Sequence, residues 1–296
     1  MILVAPAKIN LYLHLTGRRD DGLHFIDSLF AFTDFGDRLA ISVADRLQLT
    51  VDGQFAEAAG DIEQNLVFRA ALKLADKAVE LGKMRPGAVL HLTKNLPVAA
   101  GIGGGSSDAG AALRGLAEFW GMDIDPAQLA ALAAGLGADI PACVRSVPVT
   151  VSGIGEILSP SPQLPECGIV LVNPGVPTQT PDIFRKFAEM VDGGQCRFGQ
   201  PQPLLQDQKI ASVSALVDLL QDRKNDLQAP ASALVPKIDQ VLGLLADCKG
   251  VLMTRMSGSG ATCFALFDDL ARARDAAAEI AGRRPEWWAK AGSIGG

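Results

Sequence analysis

From Lys8 to Leu15 the chain alternates, with Ile9, Leu11, Leu13 and Leu15 separated from one another by Asn10, Tyr12 and His14. A period of two sends successive side chains to opposite faces, so this is a strand with one buried face. Locally, Lys8 and Asn10 read as part of its ordinary solvated face. Arg18 to Gly22 then forms a turn. Segments 38–51 and 88–93 read as further strands, and Asn65 is placed to cap a helix over 66–81 that Gly82 ends. A glycine-rich stretch over 97–107 leads into a helix whose Ala109, Ala112, Leu113, Leu116, Ala117 and Trp120 share one face. Asp125 and Pro126 open another helix, which Gly135 closes.

Strands are expected over 147–151 and 168–173, and 192–209, rich in Gly, Pro and Gln, reads as a mobile loop. Helices near 212–222 and 231–246 follow. Strands over 251–254 and 263–267 then flank a second glycine cluster, Ser257-Gly258-Ser259-Gly260, before a helix near 270–281. No internal repeat or heptad is visible. The order predicts two α+β halves, 1–155 and 156–296, parted near Ser159-Pro160-Ser161-Pro162.

Composition narrows the class. The chain has 296 residues, 48% hydrophobic and 20% charged, which is globular and long enough to fold without a disulfide or structural metal. A formal net charge of −6 argues against nucleic acid or an anionic membrane as partner, but not against one anionic ligand in a local pocket. The cysteines at 143, 167, 196, 248 and 263 are odd in number and form no Cys-x-x-Cys pair. Reduced thiols in a cytoplasmic protein are therefore expected, rather than a zinc or disulfide framework. No signal peptide and no apolar run of membrane-spanning length is read.

The stretch Pro97 to Ser107 carries the strongest chemical signal. Glycines permit close backbone approach, and the following helix offers unpaired N–H groups, so together they can cradle phosphate oxygens. It is not a Walker A loop, since no Lys follows the glycines, and it fails the Rossmann Gly-x-Gly-x-x-Gly spacing. The bland alternative is a turn that lets a helix pack closely. The second cluster reads equally as a tight hairpin. Asp139, in Gly137-Ala138-Asp139-Ile140-Pro141, reads locally as a helix-capping carboxylate, and Asn225-Asp226 as a helix-terminal polar pair. The three histidines have no metal-ligand spacing, and no metal-binding residues are identified.

Together the glycine loop, the terminal Gly258-Ser259-Gly260-Ala261-Thr262 and the initial Pro6-Ala7-Lys8-Ile9-Asn10-Leu11 resemble the GHMP kinase superfamily of small-molecule ATP kinases. Further matching segments are Asp21-Gly22-Leu23-His24, Gly137 to Pro141, Asn173-Pro174-Gly175-Val176, Asn225-Asp226-Leu227 and Arg255 to Phe264. They occur in family order over nearly the whole chain. The resemblance implies a two-domain α+β fold, with a ribosomal-protein-S5-like N-terminal domain that binds ATP and a ferredoxin-like C-terminal domain. It implies phosphoryl transfer from ATP, with Mg²⁺ whose ligands the sequence does not mark. The acceptor implied is a cytidine diphosphate-linked methylerythritol of isoprenoid biosynthesis, the alternative being a homoserine or mevalonate type of substrate. A non-catalytic nucleotide sensor would be expected to lose Lys8 and Asp139, and both are present.

By the same resemblance Asp139 is the general base, with Lys8 beside it to offset charge on the moving phosphoryl group. ATP would be bound by Asn65, Leu66 and Lys94, and by Pro97, Val98, Ala99, Ala100, Gly101, Ile102, Gly103, Gly104, Gly105, Ser106 and Ser107. Asn10, His24, Thr180 and Phe184 would hold the substrate, His24 reading the cytosine edge, while Arg255 to Thr262 buttress the phosphate loop. One departure stands out: Leu23 occupies the place where relatives commonly carry a Tyr that stacks on cytosine. The aromatic pair Trp287-Trp288 has no role beyond packing.

Overall fold

The computed structural model describes residues 1–84, 86–202, 204 and 206–295. Positions 203 and 205, inside the loop expected over 192–209, lie outside the described residues; its other residues from 193 onward form no helix or strand. Packing groups the chain into two compact units, each built from several stretches. The first comprises Met1–Lys8, Phe35–Val98 and Gly103–Val147; the second comprises Ile9–Asp34, Ala99–Ile102 and Pro148–Gly296. The sequence suggested one boundary near 155. Along the chain the stretches of the two units alternate, and the long strands β1 (Ile2–Arg18) and β2 (His24–Ser42) each contribute one end to either unit.

In the first unit β3 (Leu47–Asp52) runs parallel to β4 (Ala88–Thr93), with Leu47 opposite Ala88, and β4 runs antiparallel to the end of β2, with Arg38 opposite Thr93. The single strand expected over 38–51 is therefore two, broken at 43–46, where the chain reverses to change from antiparallel to parallel pairing with β4. The α-helices of the unit are α1 (Leu66–Glu80), α2 (Gly104–Phe119), α3 (Pro126–Ala134) and α4 (Ile140–Arg145). Asn65 caps α1 by accepting from the Val67 N–H and Asp125 caps α3, both as expected, and Gln128 reaches back to the Asp125 N–H to complete a capping box. Leu39, Leu90 and Leu92 of the strands share one core with Leu74 and Leu113 of the helices.

In the second unit β7 (Cys167–Asn173) lies between β10 (Trp288–Ile294) and β9 (Cys263–Phe267), with β8 (Met253–Met256) beyond β9, all antiparallel. The start of β2 pairs with β5 (Val149–Ser152), which pairs in turn with β6 (Ile157–Pro160). The helices are α5 (Thr180–Asp192), α6 (Val213–Gln221), α7 (Gln228–Leu234), α8 (Lys237–Ala246) and α9 (Leu270–Arg283). The helix expected over 231–246 is two, because Pro236 cannot donate to a continuing helix and instead starts α8. The tail is a strand: Trp288 to Ile294 pairs residue by residue with β7, and Trp287 is buried with Arg284 over its ring. The architecture is α+β throughout.

Candidate active site

In β1 the polar set is not solvated. Lys8, Asn10, Tyr12 and His14 are all buried, so both faces of the strand are covered. Burying a cation is costly unless it is paired, and the Lys8 ammonium lies 3.0 Å from Asp139 Oδ2. Asp139 occupies the cap position of α4, but its side chain caps nothing there. Local pattern made it a helix cap; the fold turns it toward Lys8 and leaves its carboxylate about one-third exposed (36%). This is a buried cation holding a half-open carboxylate, which can take a proton from a bound hydroxyl.

Gly103 adjoins the pair. It takes a left-handed φ of +60° before the first turn of α2, and a Cβ placed there would stand 3.0 Å from Lys8 Cε. Only glycine allows both that turn and that closeness. The opening N–H groups of α2, at Gly104, Gly105 and Ser106, have no partner within the helix and carry the positive end of its dipole. Ser107 is fully buried, and its hydroxyl has no protein partner. Asn65 and Leu66 are half-buried where α1 begins, and a Cβ on Gly105 would touch Leu66 Cδ1 at 3.6 Å.

Lys94 is held in a buried ion cluster. Its side chain is 4% exposed, and its ammonium donates to Asp37 and, at 2.6 Å, to Asp108 Oδ2. Asp37 Oδ1 accepts in turn from the backbone N–H groups of Asn95 and Leu96, at 2.5 and 2.8 Å. Burial alone would lower the Lys94 pKa, but the two carboxylates hold it above the ordinary value. Burial pushes the Asp108 carboxyl up to about 8, with Lys94 opposing and Asp37 adding to the rise. Neither Asp37 nor Asp108 was singled out from sequence. Asp108 stood in plain view directly after Ser106-Ser107, but its partners are 14 and 71 residues away.

In the second unit the middle of the glycine loop rests on the second glycine cluster. Ser257 Oγ donates to the Gly101 carbonyl at 2.9 Å, and the Thr262 N–H donates to the Ala100 carbonyl at 3.2 Å. A Cβ on Gly101 would collide with the Ser257 carbonyl oxygen at 2.4 Å. Asn225 braces the cluster from behind, donating from Nδ2 to the carbonyls of Met256 and Gly258. Arg255, whose burial lowers its pKa to about 10, donates to the carbonyls of Leu11, Leu220 and Arg223. So Asn225 is a brace, not merely a helix-end polar residue.

Around the predicted substrate residues, Asn10 is buried, its Nδ2 donating to Ser28 Oγ and its backbone N–H to Ser257 Oγ. His24 packs against Phe184, Phe187 and Phe198, with ring centroids 5.1, 6.0 and 6.1 Å away. Its Nε2 is buried without a hydrogen-bond partner. Burial, and secondarily Arg18, lowers its pKa, so at neutral pH the ring is uncharged and offers one donor and one acceptor. Leu23, at the preceding turn, is 47% exposed. Thr180 Oγ1 lies 2.8 Å from Ser259 Oγ. Phe187 is buried in the hydrophobic core and Phe198 is half-buried; neither ring was singled out from sequence. Among the described residues no group of three or more His, Cys, Asp or Glu could hold a metal ion.

Comparison with known proteins bears on this geometry. The model of the GHMP kinases N terminal domain matches residues 65–146, and that of the GHMP kinases C terminal matches residues 202–284. A 4-diphosphocytidyl-2-C-methyl-D-erythritol kinase of Paramagnetospirillum magneticum is 44% identical over 284 residues, covering 96% of this chain and 95% of the relative. The crystal structure of a 4-(cytidine 5'-diphospho)-2C-methyl-D-erythritol kinase superposes with a TM-score of 0.80 at 32% identity, covering 100% of both chains. A homoserine kinase from Cytophaga hutchinsonii shares the fold at a TM-score of 0.67 and 17% identity, covering 100% of this chain and 93% of that one. With two domain models matched and relatives this similar along almost its full length, the chain belongs to the 4-diphosphocytidyl-2-C-methyl-D-erythritol kinase family of the GHMP kinases.

Proposed function

We propose that the chain transfers the γ-phosphoryl group of ATP to the 2-hydroxyl of 4-diphosphocytidyl-2-C-methyl-D-erythritol, a step of non-mevalonate isoprenoid biosynthesis, in the cytoplasm. The observation that carries the reading is the Lys8–Asp139 pair at 3.0 Å, with Gly103 against the Lys8 side chain. A tertiary hydroxyl attacks only when its proton has a place to go, and Asp139 is the acceptor. Lys8 stays beside it and offsets negative charge on the transferring group. The N–H groups at the start of α2, with the loop from Pro97 to Ser107, hold the triphosphate; Asn65 and Leu66 border the adenosine. Lys94 serves this site from beneath the loop rather than by touching nucleotide. Mg²⁺ would arrive on the triphosphate and neutralise its charge, since a magnesium ion bound mainly by phosphates and water needs few protein ligands.

Asn10, His24, Thr180 and Phe184 hold the substrate. The uncharged His24 imidazole, with its Nε2 unpartnered, suits the mixed donor and acceptor edge of cytosine. Homoserine or mevalonate offers no base for such a group, and relatives of that kind share the fold at much lower identity. The test is ADP release with Mg²⁺-ATP and each of the three acceptors in turn. Asp139→Asn keeps the shape and removes the proton acceptor, so kcat should fall by about 10²–10⁴ while calorimetric ATP binding persists. Turnover within a few-fold of the parent would take the base role away from Asp139.

A further inference from the structure

The loop from Pro97 to Ser107 is entered through Asn95 and Leu96 and left through Asp108, in the first turns of α2. Both ends meet one buried charge cluster. Asp37, near the end of β2, accepts the N–H groups of Asn95 and Leu96 with one carboxylate oxygen and the Lys94 ammonium with the other. The same ammonium reaches Asp108 at 2.6 Å. All three side chains are at most 4% exposed. We propose that Asp37, Lys94 and Asp108 are positioning residues that clamp both ends of the glycine loop to one point, and so preset it for the ATP phosphates. This deepens the kinase reading above and rests on it.

Three features support a positioning role over simple core filling. A buried ion pair is a poor source of stability compared with apolar packing, so its retention calls for another benefit. Loops bind tightly when the ordering cost is met before the ligand arrives, and closing the loop at both ends does that. The charge balance is also suited to an anionic ligand. With Lys94 ammonium and Asp37 carboxylate, a proton retained on Asp108 leaves the cluster neutral under the triphosphate; the burial that raises its pKa favours that form. The charged and titratable groups around Asp108 are Lys94 and Asp37, with Cys143 of α4 close enough to feel its charge.

The clamp is tested with Asp108→Val, Asp108→Asn, Lys94→Met and the double Lys94→Met/Asp108→Val. Readouts are KM for ATP, KM for the cytidine substrate, kcat at saturating ATP, calorimetric ATP affinity, and hydrogen exchange over residues 97–107. Asp108→Val should raise KM and Kd for ATP at least tenfold, with kcat and the other KM within about threefold, and should speed exchange in the loop. Asp108→Asn, which keeps an acceptor for Lys94 and the neutral charge, should restore ATP affinity to within about threefold. The double variant should cost no more than the worse single, because either change opens the same clamp. Unaltered ATP affinity in a folded Asp108→Val, or losses that multiply in the double, would overturn the proposal. So would a loss confined to Lys94→Met, which would mean that Lys94 touches nucleotide directly. If Asp108→Val does not fold, Lys94→Met with loop exchange decides the matter: loss of ATP affinity without faster exchange overturns the clamp. Failure of the kinase reading would show separately, as a parent protein that binds ATP but releases no ADP with the cytidine substrate.

Discussion

Gly103→Ala separates the loop's conformation from the chemistry it supports. The residue holds φ +60° and ψ 22°, a left-handed conformation that costs an L-residue about 1–2 kcal/mol. The new Cβ would sit 3.0 Å from Lys8 Cε and 3.1 Å from Lys8 Cβ, inside ordinary carbon contact at about 3.5–4.0 Å. Lys8 must therefore recede by about half an ångström. Its ammonium starts only 3.0 Å from Asp139, so that retreat loosens the pair. If a 1 Å misplacement costs about 10² in rate, half of it costs about tenfold. Expected, then, are a melting temperature lower by about 2–8 °C, taking about 2–4 °C per kcal/mol, and a kcat about tenfold lower. Gly105→Ala is the control: its φ is not in the left-handed region and its Cβ would make an ordinary 3.6 Å contact with Leu66, so the fold should be as stable as the parent or more so. Differential scanning fluorimetry and an ADP-release assay measure both. A Gly103→Ala enzyme with parental kcat would refute the claim that the loop holds Lys8 in place, whatever its melting temperature.

His24→Ala should raise KM for the cytidine substrate with KM for ATP unchanged, and should erode discrimination against the uridine analogue; equal kinetics on both substrates before and after would remove His24 from the base pocket. Asn225→Ala deprives two buried carbonyls of their donor and the Leu227 N–H of its acceptor, so stability should drop by about 2–4 kcal/mol in a urea titration. His14 is buried, which lowers its pKa below the ordinary 6.5 despite nearby Asp226 and Asp27. The unfolded chain then binds the proton first, so stability present above pH 6.5 is lost as pH falls toward the lowered value. Melting temperatures between pH 7.5 and 5 should consequently fall more steeply for the parent than for His14→Gln, whose amide oxygen can still accept from the Lys224 N–H; parallel slopes would exclude His14 as a source.

What local chemistry dictates, the sequence alone determined. Asn65 and Asp125 cap their helices because a short polar side chain meets the free N–H groups of the next turn, whatever the rest of the chain does. The same holds for the glycine loop, whose backbone freedom is a property of its residues, and for the ordered set of motifs that carried the family resemblance. Long-range partnership lay beyond it. The polar face of β1 read as solvated because nothing in a period of two says whether a second layer covers that face; the fold covers it, and Lys8 then requires a counter-charge. Asp139 looked like a helix cap because its neighbours in sequence form a helix, and only folding brings Lys8 from 131 positions away. Val43 to Arg46 broke an expected strand because the switch between antiparallel and parallel partners is decided by topology, not by propensity. Asp37 and Asp108 show the limit most plainly: each is an unremarkable charged residue in sequence, and each meets Lys94 only once the fold buries the three together.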